Sequence, residues 1–404
     1  MENKREKIFY HNLKDNVTLS YEDVFNHVVN VNSIETDYSF STTKDFLLNF
    51  ITALYYDINI TLQDLNKLNE IKKSSIKLVK TTPPHNLEKL IDVVYKSNSK
   101  VTLFTSGTTG QPKKITHSVK NLIREVRKGD KFKNNIWGFA YNPTHMAGLQ
   151  VLFQSFFNCN SLYDVFEFSK EEILKVLEGF KITNISATPT FYRLLIPLEE
   201  PLQSLKNVSL GGEKSDGNLY KKIKKSFPNA KILNIYASTE AGTLFSTSGK
   251  YFKIISKKSE LVKIVDGELL IHRDLLGGKE QDNSSIWYKT GDLVEVVNPE
   301  TNEFKFTSRK NEMINVGGNK VNPLEIESII DGIDGVEKSY IYGKPNSILG
   351  NMLYARIQLK NKDFTEIQIK QILKIKLENF QIPRKIEFVK SLPLTRTGKL
   401  KRDL

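Results

Sequence analysis

The sequence predicts an α/β protein in which a large N-terminal domain, with mostly parallel sheet layers and a β-rich subdomain, precedes a small α+β C-terminal domain. Strand-like and helix-like segments alternate up to about residue 250, the pattern of βαβ units. Short strands divided by turns follow, and a fresh alternation of strands and helices begins beyond Arg309. A chain of 404 residues also exceeds what one hydrophobic core usually organises.

The elements of the α/β part follow from hydrophobic pattern. Runs rich in β-branched and aromatic residues predict strands, and longer apolar or amphipathic runs predict helices. The predicted strands are residues 101–104, IWGFAYNP (136–143), ITNISATP, NVSLGGE and KILNIYAS, and the predicted helices are MAGLQVLFQSFF (146–157), EEILKVLEGF and NLYKKIKKSFP.

The remaining elements set the domain boundaries. The β-rich subdomain is predicted from YFKIIS, ELVKIV, GELLIH, IWYKTGDLVEVV and FKFTS. The C-terminal domain is predicted from the helix PLEIESIIDG, which has Pro323 in its first turn, the strands VEKSYIYG and MLYARIQL, the helix EIQIKQILKIKLENF and the strand KIEFVKSL. We therefore expect domains at 1–308, with the subdomain at about 250–308, and at 313–404, joined at 309–312.

Composition excludes several classes of protein. The 39% hydrophobic and 26% charged residues are typical of a soluble globular chain. The net charge of +13 can indicate nucleic acid or an anionic membrane, but the lysines are dispersed and not interleaved with aromatic residues, so neither partner is expected. The single cysteine, Cys159, excludes an intrachain disulfide and a cysteine-based metal site. The charged N-terminus lacks a signal-peptide core and no segment is apolar enough to span a bilayer, so a cytoplasmic location is predicted.

A loop rich in glycine and hydroxyl residues follows the strand at 101–104. TSGTTGQPKK (105–114) offers backbone N–H groups, hydroxyl groups and two lysines, which together suit a phosphate chain. Its spacing is not that of a Walker A loop, G-x-x-x-x-G-K-[ST]. By itself the loop fits a phosphate site and an ordinary polar turn about equally well.

Two other loops at predicted strand ends carry functional side chains. GGEKSD (211–216) follows NVSL, and YASTEAG (236–242) follows KILNI. Ligands of open α/β sheets bind at loops off the carboxyl ends of strands. Tyr236 can stack on a planar base, Thr239 can bond a phosphate oxygen, and Glu240 can hold Mg²⁺, which prefers oxygen ligands.

Asp292 in YKTGDL (288–293) is predicted at a turn, where its carboxylate can accept hydrogen bonds from a vicinal diol such as ribose. Each of these residues also has an ordinary structural explanation: turn former, helix start or core ring. The complete set, in this order, favours function.

The ordered set resembles the adenylate-forming superfamily, which comprises acyl- and aryl-CoA synthetases, adenylation domains of peptide synthetases and luciferases. LFTSGTTGQPKK resembles the family's phosphate loop, GGEKSD its adenine loop, NIYASTEAG its Y-G-x-T-E motif, and WYKTGDL its ribose motif. RKNEMINVGGNKVNPLEIE resembles the family's hinge and glycine loop, LPLTRTGKLKR its terminal lysine motif, and LSYEDV (19–24) an N-terminal motif. The similarity extends over nearly the whole chain.

The resemblance implies an AMP-forming acid–thiol ligase. A carboxylate attacks the α-phosphate of ATP to give an acyl-adenylate and pyrophosphate, and a thiol then displaces AMP. Thr239 would contact the α-phosphate, Glu240 would hold Mg²⁺, and Lys399 would bridge the carboxylate and α-phosphate as charge builds in the transition state. The other nucleotide-binding positions would be Thr105, Ser106, Gly107, Thr108, Thr109, Gly110 and Lys113 for the β- and γ-phosphates, Gly212, Glu213, Asn234 and Tyr236 with Ala237 and Ser238 around the adenine, and Asp292 and Arg309 for the ribose.

The resemblance further implies that the C-terminal domain is mobile. It would turn about a hinge at 309–312, at the position of Asn311, and so remove Lys399 from the site. The loop containing Gly317 and Gly318 would then line a thiol tunnel. The thiol would be CoA or the phosphopantetheine of an acyl carrier protein.

The acyl pocket would be lined by His145, Met146, Ala147, Ala187, Pro189 and Phe191. The segment AYNPTHMAG has no aspartate to pair with an amino group, which disfavours a simple α-amino acid. An aryl acid and a short-to-medium acyl acid both fit. The alternatives to a CoA ligase are an enzyme that loads only a carrier protein and a catalytically silent nucleotide-binding homologue, and the presence of Glu240 and Lys399 argues against the silent form.

The sequence departs from the family pattern at several places. Only about a hundred residues precede the phosphate loop, so we expect a reduced N-terminal region and a small or open acyl pocket. Lys114 and Ala237 stand where the family usually has glycine, and both are tolerated if their φ angles are negative. Asn311 stands where many members have aspartate or lysine.

Overall fold

The chain forms two compact units. The computed structural model describes residues 6–38, 42–63, 74–78, 83–105, 113–213, 215, 217–255, 258–278, 285–346, 350–360 and 364–393. The first unit comprises Met1–Ser215, Leu219–Gly249 and Arg273–Ile286, and the second Asp216–Asn218, Lys250–His272 and Trp287–Leu404. The β-rich segment thus clusters with the C-terminal segment, and the domain boundary at 309–312 stays a prediction.

The elements before residue 250 alternate as predicted. The described strands here are β1 (Ile8–Asn12), β2 (Val17–Ser20), β3 (Ser33–Glu35), β4 (Asp37–Tyr38), β5 (Ile60–Leu62), β6 (Ser75–Lys77), β7 (Lys100–Thr105), β8 (Lys113–Ser118), β9 (Ile136–Phe139), β10 (Ser161–Asp164), β11 (Asn184–Ala187), β12 (Asn207–Gly211), β13 (Lys231–Ser238) and β14 (Gly242–Thr247). The described helices are α1 (Tyr21–Asn30), α2 (Thr43–Tyr55), α3 (Leu87–Tyr95), α4 (Val119–Leu122), α5 (Met146–Phe156), α6 (Lys170–Gly179), α7 (Pro189–Leu195) and α8 (Gly217–Ser226).

The largest sheet of the first unit has the strand order β14-β13-β12-β11-β9-β10-β1-β2. The strands from β13 to β1 are parallel to their neighbours, and β14 and β2 add antiparallel edges. Helices α5, α6, α7 and α8 each connect one parallel strand to the next along the chain, as parallel pairing requires. The predicted, largely parallel sheet is confirmed.

Smaller sheets complete the first unit. One has the order β4-β5-β7-β8, in which β7 and β8 form an antiparallel hairpin, and β3 pairs with β6. The sequence between these two strands contains the predicted phosphate loop.

Helix α5 lies in the core because its sequence is apolar on nearly every face. The Phe156 ring centroid lies 5.5 Å from that of Phe9, and the Phe153 centroid 5.8 Å from that of Phe50. The predicted buried helix at 146–157 is confirmed. The amphipathic helix α6 is confirmed as well, and Ser169 and Glu172 form a capping box at its start.

The second unit contains two sheets. Its described strands are β15 (Phe252–Lys253), β16 (Val262–Val265), β17 (Glu268–His272), β18 (Trp287–Asn298), β19 (Glu303–Arg309), β20 (Ile314–Val316), β21 (Asn319–Val321), β22 (Val336–Asn346), β23 (Gly350–Leu359) and β24 (Lys385–Val389), and its helices are α9 (Pro323–Asp331) and α10 (Glu366–Lys374). The first sheet is antiparallel, in the order β15-β19-β18-β17-β16, and the second has the order β21-β20-β23-β22 with β24 parallel to β23.

Local sequence explains where the two helices of this unit begin. Pro323 is the first residue of α9, as predicted, and the Asn322 side chain accepts a hydrogen bond from the Leu324 backbone N–H. Helix α10 begins with a Thr365–Gln368 capping box but ends at Lys374, several residues before the predicted end. Ile375 is 83% exposed, whereas Leu377 still packs against the core of this unit, so the apolar pattern continues beyond the end of the helix.

Candidate active site

The predicted phosphate loop connects the two strands of the β7–β8 hairpin. Thr105 is the last residue of β7 and lies opposite Lys113, the first residue of β8. Ser106, Gly107, Thr108, Thr109 and Gly110 lie outside the described residues. Lys113 is exposed, so its ammonium group is accessible to an anion.

Several predicted site segments lie at one edge of the large sheet. Because β9, β11, β12 and β13 are parallel, the segments that follow them are at the same carboxyl-terminal edge. His145, Met146 and Ala147 follow β9 at the start of α5, and Ala187 ends β11. Pro189 and Phe191 are in the first turn of α7, while Gly212 and Glu213 follow β12. The first unit therefore brings the predicted acyl-pocket and adenine segments to one edge.

A hydrogen-bonded contact joins these two segments. The Glu213 carboxylate accepts hydrogen bonds from the Thr190 hydroxyl at 2.7 Å and from the Thr190 backbone N–H at 3.1 Å. Glu213 thus fastens the predicted adenine loop to the start of α7, which contains the predicted pocket residues. Sequence motifs alone did not indicate this contact.

Tyr141 is a second residue that the sequence analysis missed at this edge. Its hydroxyl is buried and hydrogen-bonded to Ser186, and burial raises the pKa of the phenol well above its usual range. A Cβ on Gly211 would lie 3.7 Å from the Tyr141 hydroxyl oxygen, so the end of β12 packs directly beside this hydroxyl. The neutral phenol is therefore buried beneath the carboxyl-terminal edge of the sheet.

The Y-A-S-T-E-A-G segment is a strand followed by a very short turn. Asn234, Tyr236, Ala237 and Ser238 all belong to β13 and are partly exposed. The predicted strand KILNIYAS is confirmed to Ser238, so the expectation of a loop over all of residues 236–242 is wrong, because β13 pairs with the antiparallel edge strand β14 up to that residue. Only residues 239–241 connect the two strands, and Thr239 and Glu240 lie there.

The backbone of this short turn is held by donors from distant segments. The His117 ring donates from Nε2 to the Thr239 carbonyl at 2.7 Å. The Gly277 N–H donates to the Glu240 carbonyl at 2.7 Å. The Arg124 guanidinium donates to the Ala241 carbonyl at 2.6 Å. The carbonyls of residues 239, 240 and 241 are thus each satisfied by the protein.

Burial lowers the pKa of the His117 imidazole, and the hydrogen bond to Thr239 opposes this lowering only in part. The ring is 1% exposed and therefore neutral. Arg124 also donates to the side chain of Asn121 and to the Leu275 carbonyl. In the sequence, the only signal for this group of His117, Asn121 and Arg124 was the polar pair of His117 and Asn121 shortly after the predicted phosphate loop.

The predicted ribose residues face each other in the second unit. Asp292 in β18 pairs with Arg309 in β19, and the Arg309 Nε donates to Asp292 Oδ1 at 2.8 Å. Asp292 lies within β18, as the predicted strand IWYKTGDLVEVV implies. Its predicted position at a turn is wrong, because Leu293 and Val294 continue the pairing with β19. The Thr290 hydroxyl oxygen accepts the Asp292 N–H at 3.0 Å and fixes the local backbone.

A buried carboxylate, that of Glu268, links the predicted ribose segment (288–293) to the predicted hinge segment (309–312). Glu268 accepts a hydrogen bond from the Gly291 N–H at 3.0 Å, and Lys310 forms an ion pair with it at 3.4 Å. Glu268 and Lys310 border a pocket of about 320 Å³ within the second unit. Asn311 follows Lys310 in a short 3-10 turn.

Gly317 and Gly318 form the tight turn between β20 and β21. Val316 pairs with Asn319, and both glycines have positive φ, 58° and 87°. A two-residue hairpin turn of this kind requires the left-handed region at both positions, which explains the two glycines. Their predicted role in a thiol tunnel stays a prediction, and Lys399 lies outside the described residues.

Within the described ranges, no three His, Cys, Asp or Glu residues gather in a way that would hold a metal ion. No helix in the same part of the chain is sufficiently long and apolar to cross a bilayer.

Comparison with known proteins identifies the family. Residues 60–267 match the model of the AMP-binding enzyme family, and residues 325–399 match the model of its C-terminal domain. The chain belongs to the AMP-binding enzyme family. The predicted membership of the adenylate-forming superfamily is thereby confirmed, and so is the predicted fold class of a large N-terminal α/β part followed by the family's C-terminal domain.

Two curated relatives are CoA ligases. A putative long chain fatty acid-CoA ligase of Staphylococcus haemolyticus is 24% identical over 349 residues, which cover 81% of this chain and 74% of the relative. The 2-succinylbenzoate–CoA ligase of Listeria monocytogenes is 27% identical over 324 residues, covering 74% of this chain and 68% of the relative. These matches agree with the predicted acid–thiol ligase class.

A solved structure shares the fold. The o-succinylbenzoate CoA synthetase of Bacillus subtilis, in complex with its acyl-adenylate intermediate, superimposes with a TM-score of 0.72 at 18% identity. The superposition covers 98% of this chain and 95% of the synthetase. This chain therefore shares the fold of the synthetase over nearly the whole given sequence.

Proposed function

We propose that this enzyme activates a carboxylic acid with ATP, releases pyrophosphate, and transfers the acyl group from the acyl-adenylate to a thiol. The observation that carries the proposal is the single sheet edge of the first unit. There the acyl-pocket segments, the adenine loop and the Thr239–Glu240 turn come together in the order that the family motifs require. The family matches support both halves of the reaction.

The residues take distinct parts in this reaction. The phosphate loop with Lys113 binds the β- and γ-phosphates, and Thr239 contacts the α-phosphate. Tyr236 offers a ring face to the adenine, and Asp292 offers a carboxylate acceptor to the ribose hydroxyls. Lys399 stabilises the negative charge that grows as the acid attacks the α-phosphate.

Magnesium fits the donor set of the proposed site. Glu240 supplies one carboxylate at the turn, and Mg²⁺ is usually held by one or two carboxylates together with substrate phosphates and water. Bound there, the ion would neutralise charge on the phosphates of ATP.

The acid that we propose is an aryl or a short-to-medium acyl acid. The predicted pocket positions supply apolar and aromatic side chains, of which Met146 and Ala187 are buried at the sheet edge. A relative named for 2-succinylbenzoate supports an aryl acid, and one named for long chain fatty acids supports an acyl acid but not its short-to-medium length. We propose CoA as the thiol because the curated relatives described above are CoA ligases, with a carrier protein as the alternative acceptor.

Pyrophosphate exchange over a panel of carboxylic acids tests the proposed reaction. We expect ATP-dependent exchange with at least one aryl or acyl acid, followed by formation of a thioester when CoA is added. Exchange without a CoA thioester, but with acylation of a carrier protein, would replace CoA as the acceptor. ATP binding without exchange for any acid on the panel would contradict the proposed activity.

We expect Asp292→Asn to raise the KM for ATP about tenfold or more. The substitution removes a charged hydrogen-bond acceptor and its ion pair with Arg309, and hydrogen bonds to charged groups contribute about 1.5–3 kcal/mol. The KM for the acid should change little. Glu295→Gln is the matched control, since it breaks an exposed ion pair with Lys305 in the same sheet. An unchanged KM for ATP in Asp292→Asn would remove the carboxylate from the nucleotide site.

A further inference from the structure

The turn that contains Thr239 and Glu240 is held by side chains from the segment that follows the phosphate loop. His117 is in β8, which begins at Lys113, Asn121 is in the short helix α4, and Arg124 follows that helix. His117 donates to the Thr239 carbonyl and Arg124 to the Ala241 carbonyl, while Asn121 contacts His117. One short segment thus connects two predicted nucleotide-binding motifs.

Hydrogen bonding fixes one tautomer of the His117 ring. A carbonyl oxygen only accepts, so Nε2 must carry the proton in the bond to Thr239. The Asn121 amide nitrogen lies 3.1 Å from Nδ1 and also 3.4 Å from the Leu275 carbonyl, so it donates to both. Nδ1 is therefore an acceptor, and the neutral ring has one orientation with both nitrogens satisfied.

The ring also has little room to move. A Cβ added to Gly277 would lie 2.2 Å from Cε1 of His117, which means that the imidazole packs directly on the Gly277 backbone. The same glycine donates its N–H to the Glu240 carbonyl at 2.7 Å. His117 and Gly277 together hold two successive carbonyls of the turn.

We propose that His117, oriented by Asn121, is a positioning residue that sets the place of the Thr239–Glu240 backbone for acyl-adenylate formation. The proposal rests on the roles proposed above for Thr239 and Glu240. Because the backbone carbonyls are bound by protein donors, the turn keeps one conformation while its side chains act on the nucleotide. A displacement of about 1 Å in such a group costs on the order of a hundredfold in rate.

Substitution of His117 tests this role through both kinetics and backbone protection. We expect His117→Ala to lower the kcat of pyrophosphate exchange about tenfold or more, with the KM for the acid nearly unchanged. His117→Gln keeps an amide donor within reach of the Thr239 carbonyl, so it should recover most of the lost kcat. Thr116→Ala is the matched control. Thr116 is next to His117 in β8, and its hydroxyl forms a hydrogen bond with the Thr102 hydroxyl in β7 rather than with the turn.

Gly277→Ala gives an independent test that leaves His117 in place. The new methyl group must displace the ring from the Thr239 carbonyl, so we expect a fall in kcat similar to that of His117→Ala. Gly249→Ala is the control, since the nearest atom to its Cβ would be the Thr247 hydroxyl oxygen at an ordinary 3.5 Å. The control should keep the kcat of the parent enzyme.

Amide hydrogen exchange gives a readout that does not depend on turnover. Peptides that cover residues 238–243 and 275–278 should exchange faster in His117→Ala and Gly277→Ala, but not in the two controls. Unchanged protection and unchanged kcat in both variants would overturn the proposal, as would a His117→Gln variant as slow as His117→Ala. If the parent enzyme shows no pyrophosphate exchange while the variants still lose protection, the positioning role stands and the proposed function fails.

Discussion

Lys399→Ala is expected to abolish acyl-adenylate formation while a pre-made acyl-adenylate still passes to the thiol at a near-normal rate. The motif resemblance places this lysine at the carboxylate and α-phosphate only during adenylation, and the match to the family's C-terminal domain extends to residue 399. Loss of a charged donor of this kind removes several kcal/mol of transition-state stabilisation, about a hundredfold or more in rate.

The two half-reactions are measured separately, by pyrophosphate exchange and by thioester formation from synthetic acyl-adenylate. Lys401→Ala is the control. It removes a neighbouring positive charge that lies beyond residue 399, the last residue of the family match. If both half-reactions fall together, a movement of Lys399 out of the site does not occur in this chain. If both survive, Lys399 is an ordinary residue of a solvated terminus.

The fold was predictable wherever local pattern and tertiary context agree. Helix α5 is apolar over its whole length and is buried as predicted, and the strands β9, β11, β12 and β13 follow the βαβ alternation. The end of α10 was not predictable, because the polar and apolar residues after Lys374 continue a helical period although the helix stops there. Tertiary packing determines where a helix such as α10 ends, and the hydrophobic periodicity of the sequence does not contain that information.

The candidate site was predictable as motifs but not as contacts. Thr239 and Glu240 were found from a short pattern, whereas the donor to the Thr239 carbonyl is 122 positions away in sequence. Asp292 was expected at a turn, but pairing with Arg309 places it in a strand. Cross-strand pairing and long-range hydrogen bonds depend on the fold, so residues such as His117 emerge only from the structure.

Glu240→Gln is expected to reduce adenylation strongly at low Mg²⁺, and excess Mg²⁺ should restore part of the rate. The amide keeps the size of the side chain but removes the negative charge that makes the oxygen a ligand of Mg²⁺. Substitution of groups that merely support a metal costs about tenfold to a hundredfold, and loss of a direct ligand should cost at least as much. Higher Mg²⁺ compensates by mass action, as long as the remaining ligands are in place.

The backbone contacts of the turn make this experiment specific for the charge. The Glu240 carbonyl is held by the Gly277 N–H and the neighbouring Thr239 carbonyl by His117, so the substitution leaves the turn in position. The rate of pyrophosphate exchange is measured across a Mg²⁺ titration, with the exposed Glu178→Gln as the control for loss of one acidic group. We expect a higher half-maximal Mg²⁺ concentration in Glu240→Gln than in the parent enzyme. The half-maximal concentration of the Glu178→Gln control should equal that of the parent. Full activity of Glu240→Gln at low Mg²⁺ would show that the ion is bound elsewhere, and a loss that no Mg²⁺ concentration relieves would assign the carboxylate a role other than metal binding.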